Sequence, residues 1–314
     1  PIRVARFTIR DFHGKNRWLS VPEIIMYSSN IGAAKMALDV GTQAQRSYLG
    51  RFGLLKPAAL ELPEIGRPLT PSRWRDINTM TISYGHGIAV TPLQMASGVA
   101  ALVNGGLYVP PTLLKRDDRE AIETKRVLST GTSEKMRHLM RLVVKNGTGR
   151  KAAVEGYAIG GKTGTADKLS VRGYRKDARI SSFVGAFPID APRYILLVMV
   201  DEPKGNARTM NYATGGWVAA PAVGHVVQRM APLLGMPPVR RIAEEKEKTT
   251  FTARKHSAPP GKTIIKVKTG ARIHKVNGES ESQMLKKVRA VLGAPERNRG
   301  TEDAGPPEQA LATY

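Results

Sequence analysis

The chain has 314 residues, 41% hydrophobic and 24% charged, enough to bury a sizeable core as one large domain or two modest ones. It contains no cysteine, which excludes disulfides, thiolate metal sites and thiol nucleophiles together, and no apolar run of the roughly eighteen residues that would span a bilayer. The net charge of +23 calls for an anionic counterpart, but the 49 basic residues are scattered and the 6% of aromatics do not interleave with them, so acidic lipid or wall polymer fits better than nucleic acid.

The chain opens on Pro1, with no initiator methionine and no signal pattern. It therefore reads as a piece of a longer protein, any membrane anchor or export signal lying upstream. The first helix signal is Ser20 as N-cap, Pro22 in the first turn and Glu23 as capping-box partner. That helix runs through Ile24 and Ile25 to Ser28, Ser29 and Asn30. A second runs from Ile31 to Val40 and stops at Gly41. Thr91 and Gln94 repeat the capping box, opening a helix with Leu93, Ala96, Val99, Ala100 and Val103 on one face, closed by Asn104, Gly105 and Gly106. A further amphipathic helix, Ser133 to Lys145, turns Met136, Leu139, Met140 and Val143 inward and ends at Asn146 and Gly147.

The period then changes. Tyr157 to Thr165, Ser181 to Phe187 and Tyr194 to Val200 read as strands. Their connections are too short for crossover helices, so neighbours pair antiparallel. A last helix, Ala219 to Leu234, follows Gly215 and Gly216. Helices, then an antiparallel sheet, then a closing helix make an α+β fold with a helical subdomain.

Near residue 240 the composition shifts to charge clusters, Pro-Pro pairs, Ser and Gly, with 16 basic against 9 acidic residues from Arg240 onward. Such a segment buries too little apolar surface to offset its ordering entropy. The expected division is a domain over 1–239 and a mostly disordered basic tail over 240–314. Within the tail, 262–268 alternates like a short strand and 282–292 like a turn or two of helix.

Two short motifs carry chemistry. On a strand, Lys162 and Gly164 share one face, and Thr163 and Thr165 the other, unless a bulge re-aims them. Gly164 lets another backbone approach, so a peptide can lie alongside as an added strand. Lysine charge and threonine hydroxyls suit a carboxylate beside a backbone N–H that can hold an oxyanion. Alone, the triplet reads first as a glycine-rich strand end or turn with an exposed lysine, and the tail copy Lys268, Thr269 and Gly270 keeps that reading. Ser28, Ser29 and Asn30 alone are turn and cap formers.

Together, and within the blocks SVPEIIMYSSNIGAAKMAL (20–38), SYGHGIAVTPLQMASGVAALVNGG (83–106), NGTGRKAAVEGYAIGGKTGTADK (146–168), SSFVGAFPIDAPRYILLVMVDEPKG (181–205) and YATGGWVAAPAVGHVV (212–227), the chain resembles the transpeptidase domain of class B penicillin-binding proteins, the division-specific septal type most closely. The resemblance runs from about Ile2 to Leu234. It implies the fold shared with serine β-lactamases: an antiparallel sheet flanked by helices, an all-helical subdomain carrying Ser28 to Asn30, and a site in the groove between them. It also implies serine acyl-enzyme chemistry that cross-links peptidoglycan stem peptides and is blocked by β-lactams.

By the same resemblance, Ser28 relays protons to the leaving group and Asn30 holds the substrate's backbone amide. Lys162 tunes Ser28 and attracts the substrate carboxylate, Thr163 and Thr165 bind that carboxylate, and the Thr165 N–H forms half of the oxyanion hole. The implied partners are stem peptides, β-lactams and membrane proteins of the division complex, at the outer, periplasmic face of the cytoplasmic membrane, with no nucleic acid. No cofactor or metal is implied, and the six histidines show no ligand spacing. His86 stands where the family usually has glutamine, as either a general base or a tolerated polar loop residue.

One departure is large. The family's nucleophile sits in a Ser-x-x-Lys tetrad, and no serine of this chain is followed by lysine three places on. The tetrad is expected upstream of Pro1, with the first helix of the active-site core. The 314 residues by themselves are therefore expected to turn nothing over. A catalytically inactive scaffold of the division complex is the alternative, with a β-lactam hydrolase or sensor, or a basic nucleic-acid binder, behind it.

Overall fold

A computed structural model describes residues 1–4, 7–117, 121–170 and 173–238. The basic tail, with its expected strand at 262–268 and helix at 282–292, lies outside the described residues. The fold is α+β, as the sequence predicts, and is organised around a three-stranded antiparallel sheet.

The chain begins with a small hairpin, β1 (Ile2–Val4) and β2 (Phe7–Ile9), paired Ile2 to Ile9. Four helices follow: α1 (Val21–Tyr27), α2 (Asn30–Val40), α3 (Thr42–Arg51) and α4 (Asp76–Ser83). Ile2, Val4 and Ile9 of the hairpin, Ala34 of α2 and Met80 of α4 form one core that joins the hairpin to α2 and α4. The Glu23 carboxylate accepts from the Ser20 N–H at 2.9 Å and its hydroxyl at 3.0 Å. Helix α2 starts one residue earlier than expected because the Ser29 hydroxyl caps it, accepting from the Gly32 N–H at 3.0 Å. Gly41, at φ 85°, ends α2 and starts α3 at once, a left-handed conformation that glycine adopts without steric cost.

Helix α5 (Pro92–Val103) has the expected capping box, with Thr91 accepting from the Gln94 N–H. The expected inward face needs correction: Leu93 is exposed, and Gln94, Gly98, Ala101 and Val103 are buried. Gln94 turns inward because its amide donates to the carbonyls of Gly53 and Lys56, at 3.0 and 2.6 Å, which satisfies a buried polar group. Two short strands, β3 (Leu107–Tyr108) and β4 (Lys125–Arg126), pair beyond it. Helix α6 (Thr130–Asn146) begins three residues before the expected start, capped by Ser129. Of its expected inward residues, Met140 and Val143 are fully buried and Met136 and Leu139 partly so.

The sheet comprises β5 (Gly160–Ser170), β6 (Gly173–Phe187) and β7 (Tyr194–Asp201), with β6 central. β5 starts after Tyr157, which closes a tight turn with Val154 and donates its hydroxyl to the Met236 carbonyl at 3.1 Å. β6 starts eight residues earlier than its apolar stretch suggests, because the hairpin with β5 continues past a register shift at Asp167 and Lys168. Arg179 pairs with Asp167 at 3.1 Å, and Lys168 with Asp201 and Glu202 at 2.9 and 3.0 Å, along that extension.

Helix α7 (Ala219–Leu233) covers one face of the sheet. Its Ala219, Ala220, Val223, Val227 and Ala231 meet Phe183 and Phe187 of β6. Each of those phenylalanines contributes about 1.5–3 kcal/mol by burial. The alternate β6 residue, Ala186, points to the other face, toward Val103 of α5 and Met140 of α6. Strand β5 is left at the sheet edge, with the helical subdomain alongside it. Among the described residues, no helix is long and apolar enough to cross a membrane.

Candidate active site

The site begins with how α1 ends. Its last carbonyls are satisfied by a tight turn: the Ser28 N–H donates to the Ile25 carbonyl at 3.3 Å and the Ser29 N–H to Ile24 at 2.9 Å. The turn places Ser28 at φ 57° and ψ 51°, left-handed backbone that costs a non-glycine residue roughly 1–2 kcal/mol. Such strain persists where surrounding contacts over-determine it.

Those contacts come from both sides. The Thr148 N–H, just beyond α6, donates to the Met26 carbonyl near the end of α1 at 3.2 Å. Gly147 packs so closely on the same carbonyl that a Cβ would overlap it. On the α2 side, Asp11 accepts from the Ser29 hydroxyl at 2.8 Å and from the Ile31 N–H at 2.9 Å.

This docking brings the turn onto β5. Lys162 Nζ donates to Ser28 Oγ at 2.7 Å and to the Thr163 carbonyl at 3.1 Å, joining residues 134 positions apart. Burial of the ammonium pushes the Lys162 pKa from 10.5 down to about 8, because desolvation disfavours the charged form. A lysine titrating near neutrality can both hold and release a proton.

The other candidates lie around this pair. Thr163 Oγ1 is 2.8 Å from Thr148 Oγ1, and Thr165 Oγ1 accepts from the Gly215 N–H at 3.0 Å. Gly164 faces Ser182 across the hairpin, and Gly215 lies over both, with no room for a Cβ against the carbonyls of Gly164 and Ser182. Thr165 is exposed on the edge strand.

The structure does not bring Asn30 onto Lys162. The Asn30 amide donates to the Arg10 carbonyl at 3.0 Å, so it is engaged with the segment after β2. His86 packs its ring against Tyr84 at 5.4 Å, and no hydrogen bond of Ser28, Asn30 or Lys162 reaches it. Thr148, Gly215 and Asp11 complete the arrangement and were not singled out from sequence. Thr148 and Gly215 fall inside the glycine-containing blocks at 146–168 and 212–227, whereas Asp11 gave no signal. Among the described residues, no cluster of three or more His, Asp or Glu could hold a metal ion.

Chemically, the corner offers a lysine of lowered pKa on a serine hydroxyl, two threonine hydroxyls and an edge strand beside them. That set can hold a carboxylate and move a proton. Residues 3–228 match the family described as the penicillin binding protein transpeptidase domain. The chain is 43% identical over 245 residues to the probable peptidoglycan D,D-transpeptidase FtsI of Caulobacter vibrioides, covering 75% of this chain and 42% of that protein. It is 36% identical to the stage V sporulation protein D of Bacillus subtilis, covering 76% of this chain and 37% of that one. Among solved structures, the apo transpeptidase domain of Burkholderia pseudomallei penicillin-binding protein 3 is 35% identical at a TM-score of 0.64, covering 70% of this chain and 66% of the other. The chain thus spans about two fifths of the length of these curated relatives.

Proposed function

The chain belongs to the penicillin-binding-protein transpeptidase family, and from that premise we propose that it builds two walls of a septal peptidoglycan D,D-transpeptidase site. The observation that carries the reading is the 2.7 Å contact between Lys162 Nζ and Ser28 Oγ. In the proposed reaction a serine outside these 314 residues attacks the penultimate D-alanine carbonyl of a stem peptide. The terminal D-alanine leaves as the amine, and an amine of a neighbouring stem peptide then displaces the serine, forming the cross-link.

The residues present divide this work. While Lys162 donates to Ser28 Oγ, the Ser28 hydroxyl proton must point elsewhere, outward toward the departing nitrogen. Ser28 passes that proton and recovers one from Lys162, which its lowered pKa permits. The Thr163 and Thr165 hydroxyls and the Lys162 charge hold the terminal carboxylate, with Gly164 admitting the peptide backbone alongside β5. The Thr165 N–H supplies one oxyanion donor. Asn30 takes up the substrate amide by exchanging its bond to the Arg10 carbonyl. The membrane's outer face, an anchor outside these residues and division-complex partners belong to the same proposal.

Fluorescent-penicillin labelling tests it. The 314-residue chain takes up no label that survives denaturation, because it contains no Ser-x-x-Lys. The complete protein labels, and Lys162→Ala slows its acylation by about 10²–10³-fold. Unchanged acylation in that variant refutes the assignment. A complete protein that never labels supports the second reading, an inactive scaffold.

A further inference from the structure

A described cleft lies away from the Ser28–Lys162 corner. It has a volume of about 840 Å³ and lies between the outer side of α3 and the segment that follows it, lined by Arg46, Ser47, Lys56, Ser72, Arg73 and Trp74 among others. That size is within the range of small-molecule sites. None of its lining residues belongs to the α1–α2 turn or to β5.

The lining holds three cations and no carboxylate. Arg46, Lys56 and Arg73 form no ion pair with any described residue; the ion pairs among the described residues use Arg17, Lys168, Arg175 and Arg179. Asp76 is tied to the rim through Thr42, whose hydroxyl donates to it at 3.4 Å. The Arg46 guanidinium lies over the Trp74 ring, 5.8 Å from its centroid. The Trp74 indole N–H is buried and has no acceptor among the described residues. A buried donor without an acceptor costs free energy, and native folds rarely leave one. The cleft lining therefore collects positive charge and hydroxyls, with no carboxylate among its own residues.

We propose that this cleft is a second binding site, for an anionic saccharide bearing carboxylate or phosphate. The acid pairs with Arg46, Lys56 and Arg73, beside the Trp74 side chain that lines the same cleft. The serine hydroxyls and the indole ring suit a sugar, which needs hydrogen-bond partners at its edge and an apolar surface at its face. The site uses no residue of the Ser28–Lys162 corner, so it stands or falls separately from the transpeptidase reading.

The test is titration of the 314-residue chain with three probes, followed on the Trp74 indole N–H resonance, identified by its loss in Trp74→Phe. The probes are a muramic-acid disaccharide, an N-acetylglucosamine 1-phosphate oligomer and a neutral N-acetylglucosamine oligomer. A saturable shift is expected with at least one acid, with the neutral oligomer about tenfold weaker or more. The tighter acid distinguishes a peptidoglycan carboxylate from a phosphate polymer. Arg46→Gln with Arg73→Gln, folded by circular dichroism, should weaken the acid about tenfold. Equal binding of the neutral oligomer, unchanged affinity in the double variant, or no shift with either acid overturns the proposal.

Discussion

Asp11 is the residue whose removal should most clearly expose how the corner is held. It lies two residues after β2 and contacts nothing in β5, yet its carboxylate accepts from the Ser29 hydroxyl and the Ile31 N–H on either side of Asn30. Hydrogen bonds to a charged group contribute about 1.5–3 kcal/mol each. Both bonds are only partly buried, so the lower value applies, and with about 0.5 kcal/mol for the charge lost at the α2 N-terminus Asp11→Ala should lose roughly 3.5 kcal/mol. Asp11→Asn retains one acceptor for the two donors and forfeits the charge at the α2 N-terminus, worth about 0.5 kcal/mol. Its loss should therefore be about 2 kcal/mol. Urea unfolding followed by circular dichroism measures both, and the slope with denaturant should not change. An Asp11→Ala chain within about 0.5 kcal/mol of the parent, the usual effect of a neutral surface change, refutes the reasoning. So does an Asn variant as damaged as the Ala variant, since the two differ only in the surviving acceptor.

Lys162 should titrate near pH 8, as followed by the chemical shift of its ε-methylene. Between about 8 and the ordinary 10.5 the unfolded chain holds this proton and the folded chain does not, so stability rises with pH across that window. Lys162→Met should abolish that rise in melting temperature, and a lysine titrating at 10 or above rules out its burial as described. Glu23 has the same sign in an acidic window: the Arg17 guanidinium, followed by the Ser20 N–H, holds its pKa down to about 2. Its stabilisation is present above the unfolded value of 4.5 and disappears as pH falls through 2. Glu23→Gln should cost about 1 kcal/mol at pH 7, the size of a lost cap, and nothing at pH 2; a gap independent of pH contradicts the ion pair.

What the sequence disclosed follows how local each cause is. The capping boxes at Ser20 and Thr91 were legible because both partners lie within four residues. The sheet's antiparallel order followed from short connections. Helix α3 escaped notice because Gly41 reads as a stop and its own residues are mostly polar; α4 is rich in threonine and isoleucine, which favour strands as readily. Leu93 and Gln94 exchanged places because the carbonyls that hold the Gln94 amide are 41 and 38 residues away. The early half of β6 is polar and becomes a strand because β5 is there to pair with it. Residue physics alone left Ser28 a turn former and Lys162 an exposed lysine. Only the family resemblance set them together, and it said nothing of Asp11.

The convergence of Ser28 and Lys162 is not the reach of one flexible side chain. α1 is fastened to the end of α6 by the Thr148 N–H on the Met26 carbonyl and by the absence of a Cβ at Gly147. Thr148 also meets Thr163 on β5, so one residue ties the serine-bearing turn to the lysine-bearing strand. Asp11 fixes the turn from its other end. A serine held in left-handed backbone and a lysine deprived of water are both costly, and neither persists unless such ties oppose relaxation. Preorganisation of this kind lowers the entropy lost when reacting groups are aligned. The corner is thus assembled by these residues alone, before any nucleophile enters it. The proposed proton relay accordingly rests on this segment's packing, whichever chain segment supplies the attacking serine.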